Sequence, residues 1–269
     1  MGEISPLREA YLRRERRERI AVRAARLALT AGFFLLWELA ARRAWVDPFV
    51  VSSPCRMART LGELWRSGEL WLHLGTSVWE TVAGFTLGTL LGALIAVALW
   101  WSPFACRVLE PVLVVLNALP KTALGPVFIV WMGAGQGSII AMTVAISLIV
   151  TVLDVLNGFL STDEEKERLL LAMGANRRQI LFKLVIPSNF TTLINALKVN
   201  VGLSWVGVIM GEFLVSKAGL GYLIVYGSQV FKMDLVMSTV LLLGAAAAGM
   251  YRGILLLEKL LKKRFGVIV

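Results

Sequence analysis

Side chains able to do chemistry are few and scattered along this chain. Its 269 residues include one histidine, His73, and two cysteines, Cys55 and Cys106. Nucleophilic catalysis needs a base within reach of the nucleophile, and a metal site needs several donors in one place. A lone histidine and two separated thiols supply neither, so the sequence offers no catalytic residue and no metal ligand set. No Gly-rich run ends in Gly-Lys-Ser/Thr, so the chain lacks a phosphate-cradling loop of its own. What it does offer is polarity inside apolar stretches: Asn117, Pro120 and Lys121 in one, and Lys198, Asn200, Ser204 and Glu212 in another. Such groups line a solute path or pair with one another. Lys198 has both readings: in a path it would suit an anion such as sulfonate or nitrate, and otherwise it pairs with Asp154, Glu212 or a backbone carbonyl.

A second concentration of informative residues lies between 159 and 187, a long polar connection for a compact helical protein. Ser161, Thr162 and Asp163 precede Glu164 and Glu165, which predicts a capping box between Thr162 and Glu165 and a short helix from Asp163 to Met173. Gly174 suits the left-handed position that ends a helix, and Asn176 can cap a second helix running to Pro187. The first helix carries Leu169, Leu170, Leu171 and Met173, an apolar surface that calls for a docking partner. DNA binding by this helix pair does not fit what surrounds it.

What surrounds it is apolar helix. Hydrophobic residues make up 57% of the chain and charged ones 17%, with a mean hydropathy of +0.73. A bilayer core about 30 Å thick takes roughly 20 apolar helical residues to cross. Six stretches meet that test, at 24–45, 78–101, 109–132, 137–158, 189–213 and 234–257, so the fold is expected to be all-α and polytopic. The chain then divides into a basic N-terminal segment, 1–23, a membrane domain, 24–258, and a basic tail, 259–269. The third stretch should be broken near Asn117, Pro120 and Lys121, since irregular backbone at that depth is tolerated only against protein or a cavity.

An even number of crossings puts both termini on one side. Placing that side in the cytoplasm leaves nineteen basic residues inside and seven outside, with Lys121 and Lys198 within spans, as the positive-inside rule favours. The formal net charge of +10 thus reads as topology and contact with anionic headgroups, and not as nucleic-acid binding. This orientation separates Cys55 and Cys106 across the bilayer. Met57, Leu61, Leu64 and Trp65 form an amphipathic stretch that lies on the outer surface or packs on the bundle. Gly84, Gly88 and Gly92 recur every fourth residue, a pattern for close helix contact. His73 and Trp205 read as packing or interfacial residues.

Gly174, nine residues, Leu184, one residue, Ile186 and Pro187 resemble the cytoplasmic loop motif of binding-protein-dependent ABC importer permeases. Other segments are similar to the nitrate, sulfonate and taurine branch: Leu119 to Ala123 with Pro126, Trp131 and Gly133; Ser67 to Trp71; and Gly211 and Glu212 with Gly219 to Ile224. The resemblance covers residues 35–260 and implies a type I importer permease fold. It implies that two copies, forming a homodimer, dock on two ATPase subunits that bind ATP and Mg, and receive solute from an external binding protein. Glu167, Arg168, Leu169, Leu170, Met173, Gly174, Ala175 and Pro187 would contact the ATPase, in an inner membrane of bacterial type. Two positions depart from the pattern. Arg168, Leu169 and Leu170 stand where Glu-Ala-Ala is usual, leaving Glu167 as the neighbouring acid, and Glu80 stands where a Ser-Leu-x-Arg pattern has arginine. A secondary transporter or channel is the alternative, against which stand the docking loop and the lack of a detectable inverted repeat.

Overall fold

The computed structural model describes residues 6–265, so the outermost residues of both basic segments lie outside it. Among the described residues the chain is helical, with no strand. Helix α1 runs from Pro6 to Arg42, α2 from Pro48 to Val51, α3 from Pro54 to Ser67 and α4 from Glu69 to Trp101. Helix α5 covers Pro103–Ala118, a 3-10 turn Lys121–Leu124, α6 Gly125–Met132 and α7 Gln136–Leu160. Then follow α8 (Glu164–Ala172), α9 (Arg177–Ile180), a π turn (Leu181–Val185), α10 (Ile186–Ser188), α11 (Phe190–Val215), α12 (Leu220–Gln229) and α13 (Met233–Phe265).

Local chemistry sets these boundaries. Ser53 caps α3 ahead of Pro54, Gly68 at φ 81° turns the chain into α4, and Ser102 caps α5 ahead of Pro103. Among the described residues, five helices are long and apolar enough to cross a membrane: α1 from Arg14, α4, α7, α11 and α13. A bent pair makes a sixth crossing if its two arms form one span. Residues Pro103–Ala118 and Lys121–Met132 meet at 85°, with the break at Leu119 and Pro120. The expected interruption of the third stretch therefore takes the form of a sharp turn.

The core is a three-helix contact of α4, α7 and α11, held close by small residues. A Cβ on Gly84, Gly88 or Gly92 would meet Thr143, Ser147 or Thr151 of α7 at 2.4, 2.1 and 2.6 Å. Gly207 of α11 lies as tightly on the other side, where a Cβ would come within 2.7 Å of the Thr143 backbone. Thr143, Ser147 and Thr151 return their hydroxyls to carbonyls one turn back, so the contact needs no further polar partner. Helix α3 packs on α13 and α4 with Met57 and Leu64 buried, so the amphipathic stretch is bundle-packed. By contrast, the membrane stretch of α1 buries none of its window within this chain.

Candidate functional site

The loop between α7 and α11 is a built structure. Its first helix is capped by Asp163, whose side chain accepts from Glu165 N at 3.0 Å, and not by a Thr162–Glu165 box. Thr162 is engaged elsewhere: Asn189 Nδ2 donates to its Oγ1 at 2.8 Å and to the Val185 carbonyl at 2.9 Å, tying the two ends of the loop together. The Lys166 ammonium and the Glu165 amide hold the Asp163 carboxyl below the usual range. Gly174 sits at φ 84°, and its N–H and that of Ala175 return to the Leu171 and Leu170 carbonyls, closing α8. Asn176 and Gln179 form a reciprocal capping box that starts α9, with both bonds at 2.9 Å. The second helix reaches Pro187 through a π turn, with Pro187 exposed.

Burial divides the loop residues into two groups. Ala175 and Leu170 are partly buried against a core that includes Ile180, Leu181, Val185, Phe159 and Leu99. Leu169, Leu171 and Met173 project outward at 61, 50 and 75% exposure. Arg168 is exposed and pairs with Glu164 at 3.0 Å. Glu167 turns back into a cleft with Arg107, Glu110 and Arg177, away from the exposed tip. Arg177 itself donates to the Trp101 carbonyl, fixing the loop to the end of α4.

The polar residues of the spans fall into different places. Lys198 pairs with Glu258 of α13 at 2.9 Å, a partner absent from the three anticipated, and Lys262 joins from the next turn at 3.0 Å. Glu258 is the last residue of the expected membrane domain, one place past the apolar stretch 234–257, where linear reading gave no reason to pair it with Lys198. Asn200 is buried and donates to Thr89 at 3.1 Å and to Thr151. Ser204 is fully buried beside Trp205. Lys121 is partly exposed and donates to the Asn117 carbonyl and side chain, both at 3.0 Å, at the bend after Pro120. Glu212 is buried near the C-terminal end of α11, accepting from Ser77 Oγ and Gly221 N. Around it, His73 Nδ1 accepts from Gly219 N at 3.0 Å, and its ring stacks on Tyr222.

Two clefts went unremarked in the sequence. One of about 420 Å³ opens between α7 and α11 and is lined by Asp154, Asn157, Ser161, Thr192 and Asn195. Their spacing of three to four within each helix puts them on one face, and that periodicity was available to find them. The other, about 830 Å³, opens near the junction of α3, α12 and α13 and is lined by Arg56, Glu63, His73, Lys217, Tyr222 and Asp234 among others. Arg56 and Ser52 both bond Asp234 there, joining the segment between α1 and α4 to α13.

With this geometry in place, comparison with known proteins is informative. Residues 88–267 match the family described as binding-protein-dependent transport system inner membrane component. The chain is 30% identical to the formylaminopyrimidine transport permease protein ThiX of Halalkalibacterium halodurans over 83% of this chain and 93% of that one. It is 26% identical to the putative aliphatic sulfonates transport permease protein SsuC of Bacillus subtilis, over 88% and 87%. Among solved structures, an amino acid ABC transporter chain superposes with a TM-score of 0.58 at 15% identity, over 76% of this chain and 97% of that one.

Proposed function

This chain belongs to the binding-protein-dependent transport system inner membrane components, and from that membership we propose how it works as the permease subunit of an ATP-driven importer. The observation that carries the reading is the tip of the 159–187 loop. Three large apolar side chains, Leu169, Leu171 and Met173, are presented to water on a turn capped at both helices and anchored through Ala175, Leu170 and Asn189. Exposing that surface costs roughly 25 cal/mol per Å², which a protein groove would recover. The groove belongs to a separate ATPase subunit that binds ATP and Mg. Rigidity matters as much as contact, because a loosely held knob could not pass ATPase closure on to the bundle.

The same reasoning extends to the other partners. Helix α1 leaves Leu27, Leu29, Phe33 and Leu36 exposed in its own chain, and lipid and a second copy of the permease cover it. An external binding protein delivers solute to the outer face, where the larger cleft opens. Both termini lie in the cytoplasm and the membrane is the bacterial inner membrane, as the excess of basic residues on that side supports. The cargo is a small nutrient, a sulfonate, taurine, nitrate or a similar solute; the relatives are named for formylaminopyrimidine, aliphatic sulfonates and taurine. Asn117, Pro120 and Lys121 at the bend, together with the Asp154 cleft, are the polar surface it would pass. Lys198 is less suited to meeting an anion, because its ammonium is already engaged by Glu258.

Co-purification tests this reading. Tagged protein in mild detergent should bring down an ATPase subunit, and reconstituted uptake should require ATP. Uptake indifferent to ATP, with no ATPase recovered, would instead indicate a secondary transporter or channel.

A further inference from the structure

At the base of the 159–187 loop, where α4 turns into α5, a cleft of about 310 Å³ is lined by two arginines and two glutamates. Arg107 and Glu110 come from α5, Glu167 from α8 and Arg177 from α9. Both guanidinium groups are fastened to the same turn. Arg107 Nε donates to the Pro103 carbonyl at 3.3 Å, and Arg177 donates to the Trp101 carbonyl. Each is thus fixed through a backbone carbonyl and has further N–H groups to offer the cleft. Among the described residues, none of the four charged groups has an ion-pair partner.

The position in the fold sets what surrounds this cleft. Helix α4 ends at Trp100 and Trp101, whose rings meet edge to face, and tryptophans gather where hydrocarbon gives way to head groups. On α5, residues 103, 106, 107 and 110 form one helical stripe that faces the cleft. Phe104, Val108 and Val115, on the neighbouring stripe, are exposed in this chain. An apolar track therefore leads from the charged cleft along the first arm of the bent pair.

Charges held in a half-enclosed cleft cost free energy until a counterpart meets them. A free phosphate would satisfy the arginines and be repelled by the acids, and an amine would meet the reverse. A molecule that joins one phosphate to one ammonium satisfies both pairs, and an apolar chain attached to it has a track to follow. We infer that this cleft is a phospholipid site for a head group of the phosphatidylethanolamine class. Arg107 and Arg177 donate to the phosphate oxygens, Glu110 and Glu167 accept from the ammonium, and an acyl chain lies along Phe104 and Val108. Two of the four charged residues belong to the loop and two to α5, so the bound lipid braces the loop against the bundle. This goes beyond the transport reading and requires neither cargo nor ATPase.

The experiment measures lipid retention by the full chain in detergent, with native mass spectrometry as the readout. The probes are phosphatidylethanolamine, phosphatidylglycerol and phosphatidylcholine of identical acyl chains. Wild type should retain phosphatidylethanolamine about tenfold better than either of the others. Arg107→Gln should lower retention of all three about tenfold, and Glu110→Gln should erase the preference for phosphatidylethanolamine over phosphatidylglycerol. Equal retention of the three lipids by wild type, or a preference unchanged in both variants, would overturn the inference. So would displacement of the lipid by an equal concentration of soluble glycerophosphoethanolamine, which would assign the cleft to a free phosphate ester. Loss of ATPase co-purification from Arg107→Gln with lipid retention intact would assign the cleft to the ATPase subunit and overturn the inference as well. If Arg107→Gln does not fold, Glu110→Gln decides, and a preference it leaves intact overturns the inference.

Discussion

Gly174 shows how much can rest on one backbone angle. At φ 84° a β-branched side chain is strained by about 1–2 kcal/mol, although nothing stands within 4 Å to collide with it. Gly174→Val should therefore leave the bundle folded while tilting the Leu171–Met173 tip, and ATP hydrolysis by the assembled importer should continue with reduced uptake per ATP. Normal coupling in that variant would count against the docking role. Asp163 acts at the same scale through charge. Its carboxyl is held below the ordinary range by Lys166 and the Glu165 amide, so its capping contribution is present above that range and lost as pH falls through the lowered value. Protection of the Glu165 and Lys166 amides, measured as the exchange rate relative to the intrinsic rate at each pH, should fall on acidification in wild type, and should be low at every pH in Asp163→Ala.

At the scale of elements, helix contact is governed by where glycines fall. Gly207 faces the Thr143 backbone, which cannot swing aside, whereas Gly202 one helix face away meets nothing within 4 Å in this chain. Gly207→Ala should destabilise the protein by about 1–3 kcal/mol through overpacking, and Gly202→Ala should be neutral or slightly stabilising in the helix. Thermal unfolding of the two variants in detergent reads the contrast, and equal effects would contradict the close α7–α11 contact. The Gly84, Gly88 and Gly92 stripe was legible from spacing alone, because a period of four on an apolar helix can serve little else. The 85° turn between α5 and the 3-10 segment was legible as a break, from Pro120, but not as an angle. A proline says where a helix stops, and its neighbours decide where the next one points.

For the whole molecule, orientation is the property most directly open to test. Cys55 is exposed and Cys106 buried, on opposite sides in the proposed topology. A membrane-impermeant maleimide added to intact spheroplasts should label Cys55 and spare Cys106. Labelling of Cys106 from outside would invert the topology and remove the 159–187 loop from the ATPase side.

The sequence by itself determined the apolar stretches, the basic asymmetry, the capped turn at Gly174 and Asn176 and the family motif. All of these follow from composition, from periodicity or from residues within one helical turn, which interact wherever the rest of the chain goes. Tertiary structure alone decided which distant groups meet. Lys198 finds Glu258 because α13 packs on α11, Asn189 ties back to Thr162, and Ser77 of α4 is brought against Glu212 of α11. The reason is that long-range pairing of polar groups is fixed by helix packing, and packing depends on the shape of whole faces, which no local stretch of sequence contains.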